Sequence, residues 1–301
     1  MRRQCLEGLS LVRRRAPERK HGDWQPGVKR LPYEGKPGMI YSFQSVEQLS
    51  SPILRSGPEM IWLPATQIAN HLPMIQALQE KGLRFAAVMD RIIFDSQWPR
   101  ALEELRKLKE GGVKDLVLTN LGQIPLVQKL DFNLHGDFGL NVMNSQSVKE
   151  LRQMGLQSCT LSFEMNLAQI RDMSLGIDSQ IIAYGRLPLM ITENCITKRH
   201  GDGCARDGRA CAGSNNAIVD KTGRSFPILR ENHCRSTLYN AEKLWLADKM
   251  DELESLGLRW LRLNFTTENT KEIETVIKAY QAGAGSMPER ATRGLYYRGV
   301  L

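Results

Sequence analysis

The sequence lacks most of the signatures that assign a chemistry at sight. No apolar run approaches the ~20 residues a membrane span needs, so no membrane partner is expected. The start, MRRQCLEGLSLVRRRAPERK, is basic but has neither a long apolar core nor a small-residue cleavage site, and does not read as a secretory signal. H-E-x-x-H, G-x-S-x-G and phosphate-loop motifs are all absent, which removes three common hydrolase classes. Cysteine is scarce, with six in 301 residues, yet three of them fall between Glu193 and Cys211 and a fourth follows at Cys234. The expected setting is cytoplasmic, where thiols stay reduced and a cysteine cluster points to metal or catalysis rather than disulfides.

What is present is an ordinary globular composition, 42% hydrophobic and 25% charged, sufficient for a buried core. The net charge of +8 is compatible with an anionic partner such as RNA. Nine basic residues against three acidic ones lie in the first thirty positions, so part of the excess belongs to one segment.

Residues 1–37 read as a basic N-terminal helix and a Pro/Gly-rich linker. A barrel domain is expected over 38–301, with a Cys-rich insertion at 195–239. Short apolar strands at 38–43, 59–64, 84–90, 113–120, 133–142, 158–165, 180–194 and 259–266 alternate with helical segments. Eight such repeats predict an α/β fold, a (β/α)8 TIM-like barrel interrupted after strand 7. Within the insertion, AIVDKTGRSFPIL reads as a hairpin turning at Lys221–Gly223. A long amphipathic helix is predicted over 240–257, with Leu246, Met250, Leu253 and Gly257 on one stripe.

Successive strand residues face opposite sides. In the fifth strand His135, Asp137 and Asn141 share the polar parity; in the sixth Glu164 does, and in the eighth Arg262 and Asn264. Pointed inward, these six are candidates for a polar pocket near the strands' C-terminal ends, where barrel sites lie. The competing expectation is an internal network, with Arg262 paired to Glu164 or Asp137.

Cys195, Cys204, Cys211 and Cys234 are spaced C-x8-C-x6-C-x22-C. Thiolates select zinc or iron–sulfur clusters. Structural zinc sites favour tight C-x2–4-C knuckles, absent here, so the spacing points to a cluster with zinc as the alternative metal. Cys159 lies on an apolar parity and reads as core; His200 and His233 read as solvated loop residues.

LHGDFGLNVMNS, TLSFEMNLAQI, YGRLPLMITENC, the cysteine series, IVDKTGRSFPIL, HCRSTLYN and the terminal TRGLYYRGVL occur in an order that resembles the collagenase-like peptidase family, class "U", family thirty-two. The N-terminal MRRQCLEGLSLVRRR resembles the connecting helix of the family's long members, which implies the N-terminal domains of a longer protein as possible partners. The resemblance implies a four-iron four-sulfur cluster on Cys195, Cys204, Cys211 and Cys234, and hydroxylation of a pyrimidine in ribosomal or transfer RNA, with prephenate required in some relatives. The family name implies proteolysis instead. A third reading is a non-catalytic, metal-stabilised module that binds RNA or a partner.

Overall fold

The computed structural model describes residues 2–15, 32–193, 195, 216–231 and 234–299. Cys204, Cys211, His200, His233 and the 16–31 part of the linker lie outside the described residues. The basic start forms helix α1 (Arg2–Arg14), solvent-exposed along its described length.

The repeating unit then begins. Strand β1 (Gly38–Ser42) leads through a short 3-10 turn to α2 (Ser51–Arg55), and β2 (Met60–Pro64) to α3 (Ala65–Asn70) and α4 (Leu72–Glu80). Next come β3 (Phe85–Val88), α5 (Trp98–Glu110), β4 (Asp115–Leu118), α6 (Ile124–Val127), β5 (Asn133–Gly136), α7 (Ser145–Gln153), β6 (Leu156–Thr160), α8 (Leu167–Asp172) and β7 (Asp178–Gly185). An inserted antiparallel sheet follows, made of β8 (Pro188–Thr192), β9 (Ala217–Val219), β10 (Ser225–Arg230) and β11 (Ser236–Tyr239) in the order β8-β11-β10-β9. The chain resumes with β12 (Lys243–Trp245), α9 (Met250–Glu254), β13 (Trp260–Asn264), α10 (Thr270–Ala282) and β14 (Ala291–Thr292).

Strands β1 to β7 pair in parallel in chain order, and β13 joins β7 to β1, closing an eight-stranded barrel. This is the (β/α)8 architecture that the alternation predicts. Local chemistry places the outer helices. In α10 the Asn269 side chain accepts from the amides of Lys271 and Glu272, and the Asn269 amide donates to the Glu272 carboxylate. Ile273, Val276, Ile277 and Tyr280 then form its buried stripe, and Gly283, at φ 58°, terminates it.

The barrel interior divides into two chemistries. Ile40, Met60, Trp62, Ala86, Val117 and Trp260 form an apolar cluster separate from the larger one between strands and helices. Packed against it are the buried polar side chains of Asp115, His135, Ser158, Thr160, Gln180 and Arg262, with Arg262 over the Trp62 ring and His135 beside Trp260. The polar parity of strands five, six and eight is therefore inward.

Three expected elements differ. The fifth strand stops at Gly136 because the Asp137 side chain accepts from the Phe138 amide at 2.7 Å and opens a 3-10 turn over Phe138–Leu140. The predicted seventh strand splits: β7 ends at Gly185, and Pro188–Thr192 joins the inserted sheet. The predicted 240–257 helix is instead β12, a 3-10 turn and the five-residue α9. There Leu244 and Trp245 pair with Gly185 and Tyr184, and the Leu246 amide donates to the Tyr280 hydroxyl at 2.7 Å. Ladder and hydroxyl draw the backbone out of helical form, while Leu246, Met250 and Leu253 remain buried as their spacing suggests. The hairpin is found as expected: Asp220 accepts from Thr222 and Arg224 around the turn, with Gly223 at φ 80°. Among the described residues no helix is long and apolar enough to cross a membrane.

Candidate active site at the barrel rim

A cavity of about 380 Å³ opens at the C-terminal ends of the barrel strands, under the inserted sheet. Its floor is built from the strand ends: Ser42 closing β1, Met89 to Arg91 after β3, Thr119 after β4, Asp137 after β5 and Asn264 closing β13. Its roof comes from the insertion, through Ile191, Arg230, Glu231, Thr237 and Tyr239. Ile191 and Thr237 are register partners on β8 and β11 and so share the face turned to the barrel. Barrel sites lie at this end because the loops there are free to vary while the strands stay fixed.

The floor rests on one buried ion pair. Arg262, 1% exposed, holds Asp137 at 2.7 Å, and its guanidinium lies 4.5 Å from the centre of the Trp62 ring. Of the two carboxylate partners considered for Arg262, Asp137 is the one the fold supplies. The Arg262 Nε and both amide atoms of Gln180 are buried without a hydrogen-bond partner among the described residues. At the roof, the Thr237 hydroxyl donates to Glu231, whose carboxyl is pushed up by burial and by the charge of Asp90. Burial, together with Glu231 and Asp137, also raises the Tyr239 phenol.

The other sequence candidates occupy different places. Asn141 is exposed in the left-handed region, at φ 51°, capping the 3-10 turn. Glu164 is exposed because β6 ends at Thr160 and a turn follows. His135, 1% exposed, lies below the cavity, its ring turned to Asp115 and Trp260 where β4 and β13 begin. Its Nδ1 is 2.7 Å from the Ser158 hydroxyl and its Nε2 is 2.9 Å from Asp115, which Arg84 clamps through Nε at 2.8 Å. A Ser–His–Asp chain is thus present, though no sequence motif signalled it. Ser158 is fully buried, so no substrate carbonyl reaches it.

A second cavity, of about 670 Å³, adjoins the first and shares Thr66, Met89, Asp90 and Arg230 with it. Cys234 lines this second cavity. The register Thr192↔Ser236 between β8 and β11 sets Cys195 and Cys234 at the same end of the inserted sheet. Glu193 and Arg235, the neighbours of those cysteines, form an ion pair. Arg235, 1% exposed, also donates to the Ile92 carbonyl at 2.5 Å and lies 5.1 Å from the Phe94 ring centre. It thereby fastens the thiol-bearing end of the sheet to the β3–α5 loop. Cys234 sits at φ 61°, and the Arg230 guanidinium approaches its sulfur at 3.6 Å.

Two soft thiol donors converging on one sheet end suit a metal of the kind thiolates bind. Among the described residues no group of three or more His, Cys, Asp or Glu is arranged around a metal position, and Cys204 and Cys211 lie outside them. The roof residues Arg230, Glu231, Thr237 and Tyr239 escaped the sequence reading. The alternation in SFPILRENHCRSTLY carried the signal, but which face meets the barrel depends on register.

The family model described as peptidase family U32 matches residues 68–293. No curated protein matches the chain. Among solved structures, the U32 peptidase Mk0906 is similar over 54% of this chain and 74% of its own, at 11% identity and a TM-score of 0.39. A chitinase from Rhizomucor miehei is similar over 82% of this chain and 99% of its own, at 12% identity and a TM-score of 0.42. The spore cortex-lytic enzyme SleL of Bacillus cereus is similar over 88% of this chain and 77% of its own, at 8% identity and a TM-score of 0.40.

Proposed function

The chain belongs to peptidase family U32, and on that footing we propose that it is an iron–sulfur-dependent enzyme that hydroxylates an RNA pyrimidine in the rim cavity. The observation that carries the reading is the Glu193–Arg235 pair, which brings the Cys195 and Cys234 ends of the inserted sheet together beside the barrel mouth. With Cys204 and Cys211 these thiols would hold the cluster. When bound, such a cluster supplies one-electron redox chemistry.

The chain's own residues would seat the base. Asp137, fixed by Arg262, offers a carboxylate acceptor on the floor, and Asn264 and Thr119 offer neutral hydrogen-bonding groups beside it. The inserted sheet covers the seated base and limits water. Replacing a ring C–H by C–OH is a two-electron oxidation of the base; prephenate, the co-substrate candidate, would give up its hydroxyl as the oxygen source and accept the two electrons, leaving with hydrogen in place of that hydroxyl. Zinc in place of a cluster would instead favour the structural, RNA- or partner-binding module.

The family description favours proteolysis as a second reading. Against it stands the burial of the Ser158–His135–Asp115 chain, no member of which lines the cavity. The test uses anaerobically purified protein, RNA, prephenate and a reductant, with nucleosides analysed by mass spectrometry. The wild type is expected to add one oxygen to a pyrimidine, and Cys234→Ser to lose that product while keeping the barrel's circular dichroism. Equal product from Cys234→Ser, or gelatin cleavage without RNA modification, would overturn the reading.

A further inference from the structure

The roof meets the barrel at a second place besides the Arg235 anchor. On the β1 side the cavity wall is Ser42, Phe43 and Gln44, and the roof above it carries Tyr239. Tyr239 is 7% exposed, and the Gln44 side chain hydrogen-bonds its hydroxyl. Gln48, which does not itself line the cavity, holds Gln44 in place. Its Oε1 accepts from the amides of Gln44, at 2.9 Å, and Ser45, at 3.3 Å. Those two bonds alone would cap the short 3-10 turn Val46–Gln48. The third bond belongs to no cap: Nε2 donates at 3.3 Å to the main-chain carbonyl of Glu268, 220 residues away.

Glu268 is a fixed point. It is 3% exposed, and its carboxylate accepts from the Thr266 amide at 2.6 Å and the Tyr184 hydroxyl at 3.2 Å, and pairs with Lys243 at 2.9 Å. Burial, and then the charge of Glu268, push the Tyr184 phenol up, so it stays a donor. These donors come from β7, β12 and the turn after β13, so three elements hold one buried carboxylate, as such a group requires. The barrel ladders close without any of these bonds. The same turn is pressed against the cavity wall, because the Phe265 amide donates to the Ser42 carbonyl at 2.8 Å.

We propose that Gln48 is a positioning residue for the rim cavity. It passes the fixed place of the Glu268 turn to Gln44, and through Gln44 to the Tyr239 hydroxyl of the roof. This inference rests on the reading of the rim cavity as the reacting site.

The test is hydrogen–deuterium exchange by mass spectrometry on the whole chain, comparing wild type, Gln48→Ala, Gln48→Glu and Arg293→Ala. Gln48→Glu keeps the acceptor for the Gln44 and Ser45 amides but loses the donor to Glu268, which isolates the long-range bond. Arg293 braces β12 from elsewhere, through Asp248 and the Trp245 carbonyl, and serves as the control. Both Gln48 variants are expected to exchange roughly tenfold faster at 237–240 in the roof, the factor for one lost hydrogen bond of ordinary strength. Arg293→Ala is expected to leave that segment unchanged. Faster exchange confined to 44–48 in Gln48→Ala, or a wild-type roof in Gln48→Glu, would reduce Gln48 to a turn cap and overturn the proposal. In the hydroxylation assay Gln48→Ala is expected to raise KM roughly tenfold and keep kcat, because a loosened wall must be ordered on binding. A fall in kcat with KM unchanged would also overturn it. No product from the wild type would overturn the proposed function, and the roof exchange would then decide the role of Gln48 alone.

Discussion

Asp115 is 2% exposed and serves four donors: Arg84 through Nε and Nη2, the His135 ring and the Asn133 amide. Burial alone would raise its carboxyl. The bonds and charges of Arg84 and His135 more than reverse that and hold it well below the usual carboxylate range. The folded value is depressed, so this stabilisation is present above the ordinary carboxylate value near ~4 and is lost as pH falls from there. The wild type should therefore lose stability below about pH 4 more steeply than Asp115→Asn, as read by urea unfolding at stepped pH; parallel curves would contradict the account. Asp115→Ala should cost about 1–3 kcal/mol, because it leaves the buried His135 ring without its carboxylate partner, while half-exposed Arg84 turns to water. The sequence announced His135 as inward by parity. It did not announce Asp115, because that contact depends on the register between two strands, which no local pattern carries. Cys159 was legible as a core residue, and its thiol is pushed up to about 12 by burial. Iodoacetamide at pH 8 should alkylate exposed Cys5 in the native protein and reach Cys159 only after unfolding, as peptide mass mapping would reveal.

At the scale of elements, two junctions decide where the site sits. The first is the end of β7. Gly185 has φ 117°, and a Cβ there would stand 2.0 Å from the Asn264 carbonyl oxygen. Gly185→Ala should therefore strain the β7–β13 seam by more than about 2 kcal/mol and displace Asn264 from the cavity floor, measurable as a lowered Tm. An unchanged Tm would show that the seam yields. The second is the Arg235 anchor between the inserted sheet and the β3–α5 loop. Arg235→Ala should speed proteolytic cutting within the insertion and lower metal content while the barrel transition moves little. Unaltered cutting would mean that the sheet is held by its strands alone. Neither junction was fully legible in the sequence. The apolar stripe of 240–257 was read correctly as buried, but the same spacing serves a strand followed by short turns once β7 offers a free ladder and Tyr280 a hydroxyl. The polar run of the fifth strand was cut short by Asp137 capping its own following turn, and this carried Asn141 out of the pocket.

At the scale of the whole molecule, the barrel was the most legible feature, because eight alternations of strand and helix repeat one physical unit. The insertion was legible as an interruption and a hairpin. That it forms a four-stranded sheet roofing the barrel mouth was not, since its outer strands β8 and β9 are separated by 24 residues between Thr192 and Ala217. On the proposed function the roof carries a thiolate-bound cluster beside the cavity. The most direct measurement is an anaerobic absorption spectrum of the whole chain with iron, sulfide and zinc analysis. Broad absorption near ~400 nm with matched iron and sulfide, lost in Cys195→Ser, is expected. Protein prepared under the same anaerobic conditions with neither iron nor sulfide would contradict it.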